Sequence, residues 1–395
     1  MKFIGIVRVV LNDCWLLARL VFNSLENERA IDVKQRGVYV KDEDAGFIPN
    51  YKVMKQVALT KRLGKFYRVF IFISPVLIVL LWPFHWFLGV LGGAFKRDVF
   101  SGVKRYIVVT PSRGGMSLIN SAICFDIDAQ DAAISEQELS CYKLGRTIGL
   151  VEVFLSIVTH FLFLYFIFTS SRGIRKDMML HARDSFSLCM LANSKSLRQS
   201  TVLTDDHYQR WSYILSHLIS DFRIVQHGFL DIDLVLPNPY GKVSLLYLRD
   251  HRFLEDFQKF YQVLLWRLFV VEQVFVKTNF PEKSIFLASS FPAIDSEIEL
   301  LTMLKERCSI PIFVKFHPAH LYDGRKKKLA NLADGVFEGE GNPVCGAFVS
   351  YNSFMEFDYS SHGVATVSIV RSGSVNRACS DLLNHIQEID LVLAK

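Results

Sequence analysis

Two histidines stand at the ends of apolar runs, each followed by a residue that turns the chain: Arg223-Ile-Val-Gln-His-Gly-Phe-Leu230 and Ile312-Phe-Val-Lys-Phe-His-Pro-Ala-His320. Imidazole titrates near neutral pH, so it can take a proton from a hydroxyl or hydrogen-bond a phosphate. An α/β protein delivers such side chains to the crevice beyond its parallel strand ends. His227 and His317 therefore predict two sheets with a cleft between them.

Each histidine has neighbours that bear on its chemistry. Lys315 and His317 are two residues apart on an extended strand and share one side of it, and Pro318 stops the strand. A cation and an imidazole so placed suit a phosphate, and a structural histidine at a strand end is the alternative. Ala347-Phe-Val-Ser350 reads as another strand, followed by Tyr351, Asn352, Ser353 and a helix over 354–361. Backbone amides at that helix start, with Ser350, Asn352 and Ser353, form either an anion site or ordinary caps. Ser289 and Ser290 end a further strand and are placed to touch phosphate or an acceptor. Beside His227, the run Thr201-Val-Leu-Thr204 ends at Asp205-Asp206. A carboxylate there, or Asp231 or Asp233 close behind, suits orienting the imidazole as a general base, and the choice among them is open. Asp206 is the first candidate should the reaction need a carboxylate nucleophile instead.

The elements that must position these residues follow from periodicity. Lys104–Pro111 reads as a first strand with a Ser-Arg-Gly-Gly loop after it. Residues 207–222 read as a helix with Trp211, Ile214, Leu215, Leu218 and Ile219 on one face. Residues 284–288, a helix through Glu297 to Glu306, and 311–316 form a strand, helix, strand unit, the start of a second sheet. Arg325-Lys-Lys-Lys328 reads as a solvated helix start, with a phosphate clamp as the alternative. Neither a Gly-x-x-x-x-Gly-Lys-Ser/Thr loop nor a Gly-x-Gly-x-x-Gly turn occurs, which removes the usual NTPase and dinucleotide readings.

With 395 residues, 51% of them hydrophobic, the chain can build two or three full cores. A mean hydropathy of +0.25 is high for a soluble enzyme. The net charge of +6 suits an anionic membrane surface or a phosphate-bearing substrate. Nucleic acid is not expected. The seven cysteines form no Cys-x-x-Cys pair and no cluster with histidine at metal-ligand spacing, so a reducing compartment and no metal are expected.

Between Val69 and Phe95 no charged residue occurs, longer than the roughly 20 residues that cross a bilayer. Basic residues flank both ends, and Pro75, Pro83 and Gly92-Gly93 interrupt the run. These breaks favour a re-entrant or interfacial hairpin over a straight span. A second uncharged run, 153–171, reads as a membrane-facing or buried helix. If the strand at 104–111 shares a sheet with those near 201 and 224, a full crossing at 153–171 would put paired strands on opposite sides of the membrane. Arg172, Arg175, Lys176 and Arg183 after it are placed to touch lipid phosphates.

Gln-His-Gly, then Lys-x-His-Pro about ninety residues on, then Ser350-Tyr-Asn-Ser353 before Met-Glu-Phe-Asp, resembles the two-domain GT-B transferases of bacterial surface polymers. The nearest are capsule polysaccharide transferases, including Kdo transferases, and teichoic-acid glycerophosphate transferases. The resemblance covers roughly residues 200 to 370. It implies His227 as base, His317 on donor phosphate, and Asn352 with Ser353 at a phosphate-binding helix start. The teichoic Asp-Tyr-Ser-Ser is replaced here by Ser350-Tyr-Asn-Ser353, and the literal Asp358-Tyr-Ser-Ser361 is expected at a helix end before Gly363.

The implied fold is α/β, two Rossmann-like doubly wound domains with an N-terminal membrane-associating region. The expected boundaries are 1–100, 101–245 for the acceptor domain, and 246–395 for the donor domain. The implied function is transfer of a sugar from a CMP-, CDP- or UDP-linked donor to a lipid-linked or growing saccharide, without cofactor, at the cytoplasmic face of the inner membrane. A CDP-polyol phosphotransferase and a non-catalytic membrane assembly protein are the rivals.

Overall fold

The computed structural model describes residues 2–41, 65–95, 106–110, 118–119, 122, 131–135, 141–171, 178, 181–205, 210–228, 234–269, 275–277, 279–290, 293–317, 324–339 and 341–393. Asp206, Asp231, Asp233, Pro318, the Ser-Arg-Gly-Gly loop, Arg172, Arg175 and Lys176 lie outside these residues. The chain is a mixed α/β protein with two compact units, Met1–Val33 with Ala58–Val270, and Lys34–Val57 with Val271–Lys395.

The first unit holds a six-stranded parallel sheet. Its strands are β1 (Tyr106–Thr110), β2 (Asp131–Ser135), β3 (Thr201–Thr204), β4 (Asp221–Val225), β5 (Leu245–Leu248) and β6 (Trp266–Leu268), in the order β2-β1-β3-β4-β5-β6. The order reverses between β1 and β3, where an open α/β sheet places its crevice. The expected boundary at 245 is therefore wrong: β5 and β6 extend this sheet, and the unit runs on to Val270.

The helix read over 207–222 also ends early. It spans Arg210–Leu218, and Asp221 already opens β4. The Asp221 carboxylate accepts hydrogen bonds from Thr201 Oγ1 at 2.6 Å, Ser244 Oγ at 2.6 Å and the Arg223 guanidinium at 3.0 Å. Partial burial opposes its charge, but these donors win and hold its pKa at about 2. They pin the chain as a strand where apolar periodicity alone would continue the helix.

The longer helices of the unit are α1 (Lys2–Lys41), α2 (Lys65–Ala94), α3 (Cys141–Ile148), α4 (Leu150–Thr169), α5 (Ser185–Asn193) and α6 (Arg210–Leu218). The interrupted run at 69–95 is one continuous helix, not a hairpin. Its glycines serve a different purpose from breaking it: they let another helix approach. A Cβ on Gly92 would sit 2.1 Å from the Tyr142 carbonyl oxygen, and one on Gly145 would sit 2.4 Å from that of Gly89. Gly92 of α2 and Gly145 of α3 are thus the small residues at which these two helices pack, while Gly93 faces Leu150 of α4. The core of the unit joins Leu17, Val21 and Leu25 of α1, Ile78 and Trp82 of α2, and Phe163 and Ile167 of α4 to Val202, Phe222, Ile224 and Leu246 of the sheet.

The second unit holds a five-stranded parallel sheet: β7 (Ile285–Ser289), β8 (Ile312–Phe316), β9 (Gly335–Val336), β10 (Ala347–Ser350) and β11 (Ala365–Ser368). The order is β9-β8-β7-β10-β11, reversing between β7 and β10. Because side chains alternate along a strand, the sheet buries both faces. Ile285, Leu287, Val314 and Val349 join the core cluster of α7 (Ile294–Arg307), α8 (Gly324–Leu332) and α10 (Val375–Leu393). Phe286, Ala288, Phe313 and Phe348 join a second cluster with Tyr359 of α9 (Met355–Ser361). Each fully buried phenylalanine is worth about 1.5–3 kcal/mol relative to exposure.

Candidate functional site

The C-terminal edge of the first sheet presents His227. The strand β4 ends at Val225, and the next residue, Gln226, is wholly buried and fastens the loop. Its backbone N–H donates to the Tyr247 carbonyl at 2.9 Å, its Oε1 accepts from the Arg249 N–H at 3.1 Å, and its Nε2 donates to the Gly228 carbonyl at 3.4 Å. His227 then projects as an exposed ring, with Nδ1 hydrogen-bonded to the main-chain carbonyl of Asp205.

That carbonyl fixes the chemistry of the ring. A carbonyl oxygen only accepts, so Nδ1 carries the proton and Nε2 is the basic nitrogen. One orienting group is thus the backbone carbonyl at the end of β3, and the expected carboxylates Asp206, Asp231 and Asp233 lie outside the described residues. The Asp205 side chain itself is buried. Among the described residues, a Cβ on Gly228 would meet nothing within 4 Å. Arg249, two residues beyond Tyr247 as His227 is two beyond its paired Val225, stands at the matching position on the next strand and lies 5.7 Å from the centroid of the Phe269 ring. Neither Gln226 nor Arg249 was expected to take part: the glutamine was legible only as a motif letter, and the arginine follows a strand with no motif of its own.

The C-terminal edge of the second sheet is organised otherwise. Ser289 Oγ donates to Glu297 Oε2 at 2.6 Å, and Ser290 reaches Glu297 Oε1 through its backbone N–H at 2.7 Å and its hydroxyl at 3.3 Å. Both serines are buried, so their expected contact with phosphate gives way to an internal role: they satisfy Glu297 of α7. Burial pushes the Glu297 carboxyl up to about 7 against those hydrogen bonds.

Lys315 is likewise engaged within the unit. Its Nζ donates to the Gly341 carbonyl at 2.9 Å and lies 5.1 Å from the centroid of the Phe337 ring. His317 is exposed at the end of β8, and partial desolvation lowers its pKa, which favours the neutral ring at physiological pH. Ser350 Oγ accepts from the Ser353 N–H at 3.0 Å, and Ser353 Oγ accepts from the Met355 N–H at 3.3 Å. Of the two readings at this turn, the capping one is what these two oxygens perform. Asn352 differs from them: its amide is half-buried and has no hydrogen-bond partner among the described residues. Asp358-Tyr-Ser-Ser361 closes α9 before Gly363, whose φ is 75°, and the Tyr359 hydroxyl donates to the Pro343 carbonyl at 2.9 Å. The motif is structural here, as expected.

The two edges therefore share out the candidate residues. His227 belongs to the first unit, and His317, Lys315, Asn352 and the four serines belong to the second. Among the described residues no cluster of histidine, cysteine, aspartate and glutamate is arranged to hold a metal ion. No family model matches the chain, and no relative among curated proteins matches it.

Proposed function

We propose that the protein is a membrane-associated glycosyltransferase of the GT-B type, with a Rossmann-like sheet in each unit. It transfers a sugar from a nucleotide-sugar donor to a lipid-linked or growing saccharide at the cytoplasmic face of the inner membrane. The observation that carries the reading is the tautomer of His227, held with Nε2 basic at a parallel-sheet edge beside the point where strand order reverses. In the reaction Nε2 takes the proton of an acceptor hydroxyl, and the acceptor oxygen bonds to the anomeric carbon of the donor. The bond from that carbon to the phosphate oxygen breaks, and the nucleotide leaves with the electron pair. His317 and Asn352 are the second unit's candidates for that phosphate, since their side chains stand at strand ends clear of the Glu297 network.

Donor turnover by purified full-length protein, with and without His227→Ala, tests the reading. Turnover that survives the substitution removes His227 as the base. Stabilisation against heat by CMP, CDP or UDP identifies the donor class. One observation favours a second reading, a non-catalytic assembly protein: the amine of Lys315 and the hydroxyls of Ser289 and Ser290 are all bound within the protein. Absence of turnover and of nucleotide stabilisation in the unaltered protein selects it.

A further inference from the structure

Two helices of the first unit, Val76–Ala94 within α2 and Leu150–Thr169, are long and apolar enough to cross a bilayer. Both are only half claimed by the protein. Along α4 the residues Val153, Ser156, His160, Phe163 and Ile167 are buried at helical spacing, while Val151, Phe154, Phe161, Tyr165 and Phe168 are exposed. Along α2 Ile78 and Trp82 are buried, while Leu77, Leu80, Phe84 and Phe87 are exposed. The exposed surfaces meet: Trp86 packs on Phe161 with centroids 4.8 Å apart, and Trp15 of α1 packs on Tyr165 at 5.6 Å. Apolar surface of this extent, continuous over three helices, marks an interaction site.

Connectivity decides how a membrane can cover it. The strands before and after α4, β1 and β3, are paired neighbours in one sheet. A single crossing by α4 would separate them. The same holds for α2. Ahead of it, Asn27 of α1 exchanges hydrogen bonds with Asn238 at 2.8 and 3.0 Å, and Glu28 binds Arg210 at 2.8 and 2.9 Å. Behind it comes β1. The intervening sequence offers no compensating span, since Asp42, Glu43, Asp44, Lys52, Lys55 and Lys61 punctuate one connection and Arg113, Asp126, Asp128, Glu136 and Glu138 the other.

A second observation agrees. The turn Ala182–Asp184 packs against the middle of both helices: the Ala182 carbonyl accepts from Trp82 Nε1 at 3.3 Å, and His160 Nε2 bonds Ser185 Oγ at 2.8 Å. In that turn the side chains of Arg183 and Asp184 are 75% and 54% exposed. Were the helices upright, these charges would sit near the bilayer midplane, at a cost of several kcal/mol each.

We propose that α2 and α4 lie in the plane of one leaflet, with their exposed apolar sides among the acyl chains, so that neither helix spans the membrane. Exposed Arg8, Arg19 and Lys143 on α1 and α3 and Arg183 on the turn suit anionic headgroups. This rests on the membrane association in the proposed function and fixes its geometry. In the full-length protein bound to vesicles of equal parts phosphatidylcholine and phosphatidylglycerol, nitroxides are placed singly through Leu80→Cys, Phe84→Cys, Phe87→Cys, Phe154→Cys and Phe161→Cys. The unaltered protein is labelled in parallel as background. All five labels should read one shallow depth, about 5–10 Å below the headgroups. Depth rising to a maximum at Phe84 and Phe161 overturns the proposal, as do labels in water or spin–spin broadening from a second copy seated on the face. Should the variants fold poorly, quenching of the native tryptophans by brominated lipids gives the same answer: bromines near the headgroup must quench more than bromines at the chain ends. Neither readout uses donor turnover, so the topology and the enzymatic reading fail independently.

Discussion

The edges of the two parallel sheets carry similar letters and use them differently. At the first, a buried glutamine and a backbone carbonyl hold His227 outward in one tautomer. At the second, the serines, the lysine and the turn oxygens are bound to the protein's own groups around Glu297, Gly341 and α9. A polar residue at a strand end is thus either displayed by its neighbours or is itself the neighbour that steadies something else. The hydrogen-bond partner, not the residue type, separates the two.

The sharpest way to break this contrast is His227→Ala. Turnover should fall roughly 10²–10⁴-fold while stability to denaturant changes by less than about 1 kcal/mol. A large stability loss would place His227 with the structural group. Glu297→Ala should do the reverse, destabilising the second unit by about 2–4 kcal/mol in urea unfolding, because Ser289 Oγ and the Ser290 N–H are left buried without an acceptor.

The same carboxylate has a pH signature. Folded, Glu297 keeps its proton up to about pH 7, whereas its ordinary value is 4.5. The unfolded chain therefore releases this proton first, and the group's contribution to stability falls as pH rises from 4.5 to about 7, then levels off. Glu297→Gln does not titrate, so its stability relative to the unaltered protein should climb by roughly 1–3 kcal/mol across that window. A flat difference would mean that the carboxylate is ionised throughout.

Smaller effects refine the division. Lys315→Met removes the bond to Gly341 and should cost about 1 kcal/mol of stability. It should leave nucleotide stabilisation unchanged, and a lost nucleotide response would return Lys315 to the phosphate. Gly228→Ala should alter stability by less than about 0.5 kcal/mol, since nothing among the described residues crowds the added methyl. Any loss of turnover from it then reports the approach of substrate.

Much of the strand pattern was legible because buried parallel strands are short, continuous apolar runs: Thr201–Thr204 and Ala347–Ser350 were read at their observed bounds. The unit from Ile285 through Ile294–Arg307 to Phe316 was read to within a few residues at its ends. The domain boundary was not, because β5 and β6 join the first sheet through pairing that no local pattern encodes. The hairpin expected at 69–95 failed for a related reason. Proline and glycine weaken a helix locally, but Gly92 is needed where α3 comes close and Gly93 where α4 does.

By itself the sequence determined which segments become buried strands, which helices are apolar all round, and where polar residues follow strand ends. Those are properties of local periodicity and composition. Only the tertiary structure decided what each polar group does. Asp205 meets His227, Lys315 meets Gly341, and Glu28 meets Arg210 across gaps that strand order and helix docking close. The same docking turned two membrane-length helices into elements tied at both ends to one sheet, because paired strands must lie on the same side of any membrane.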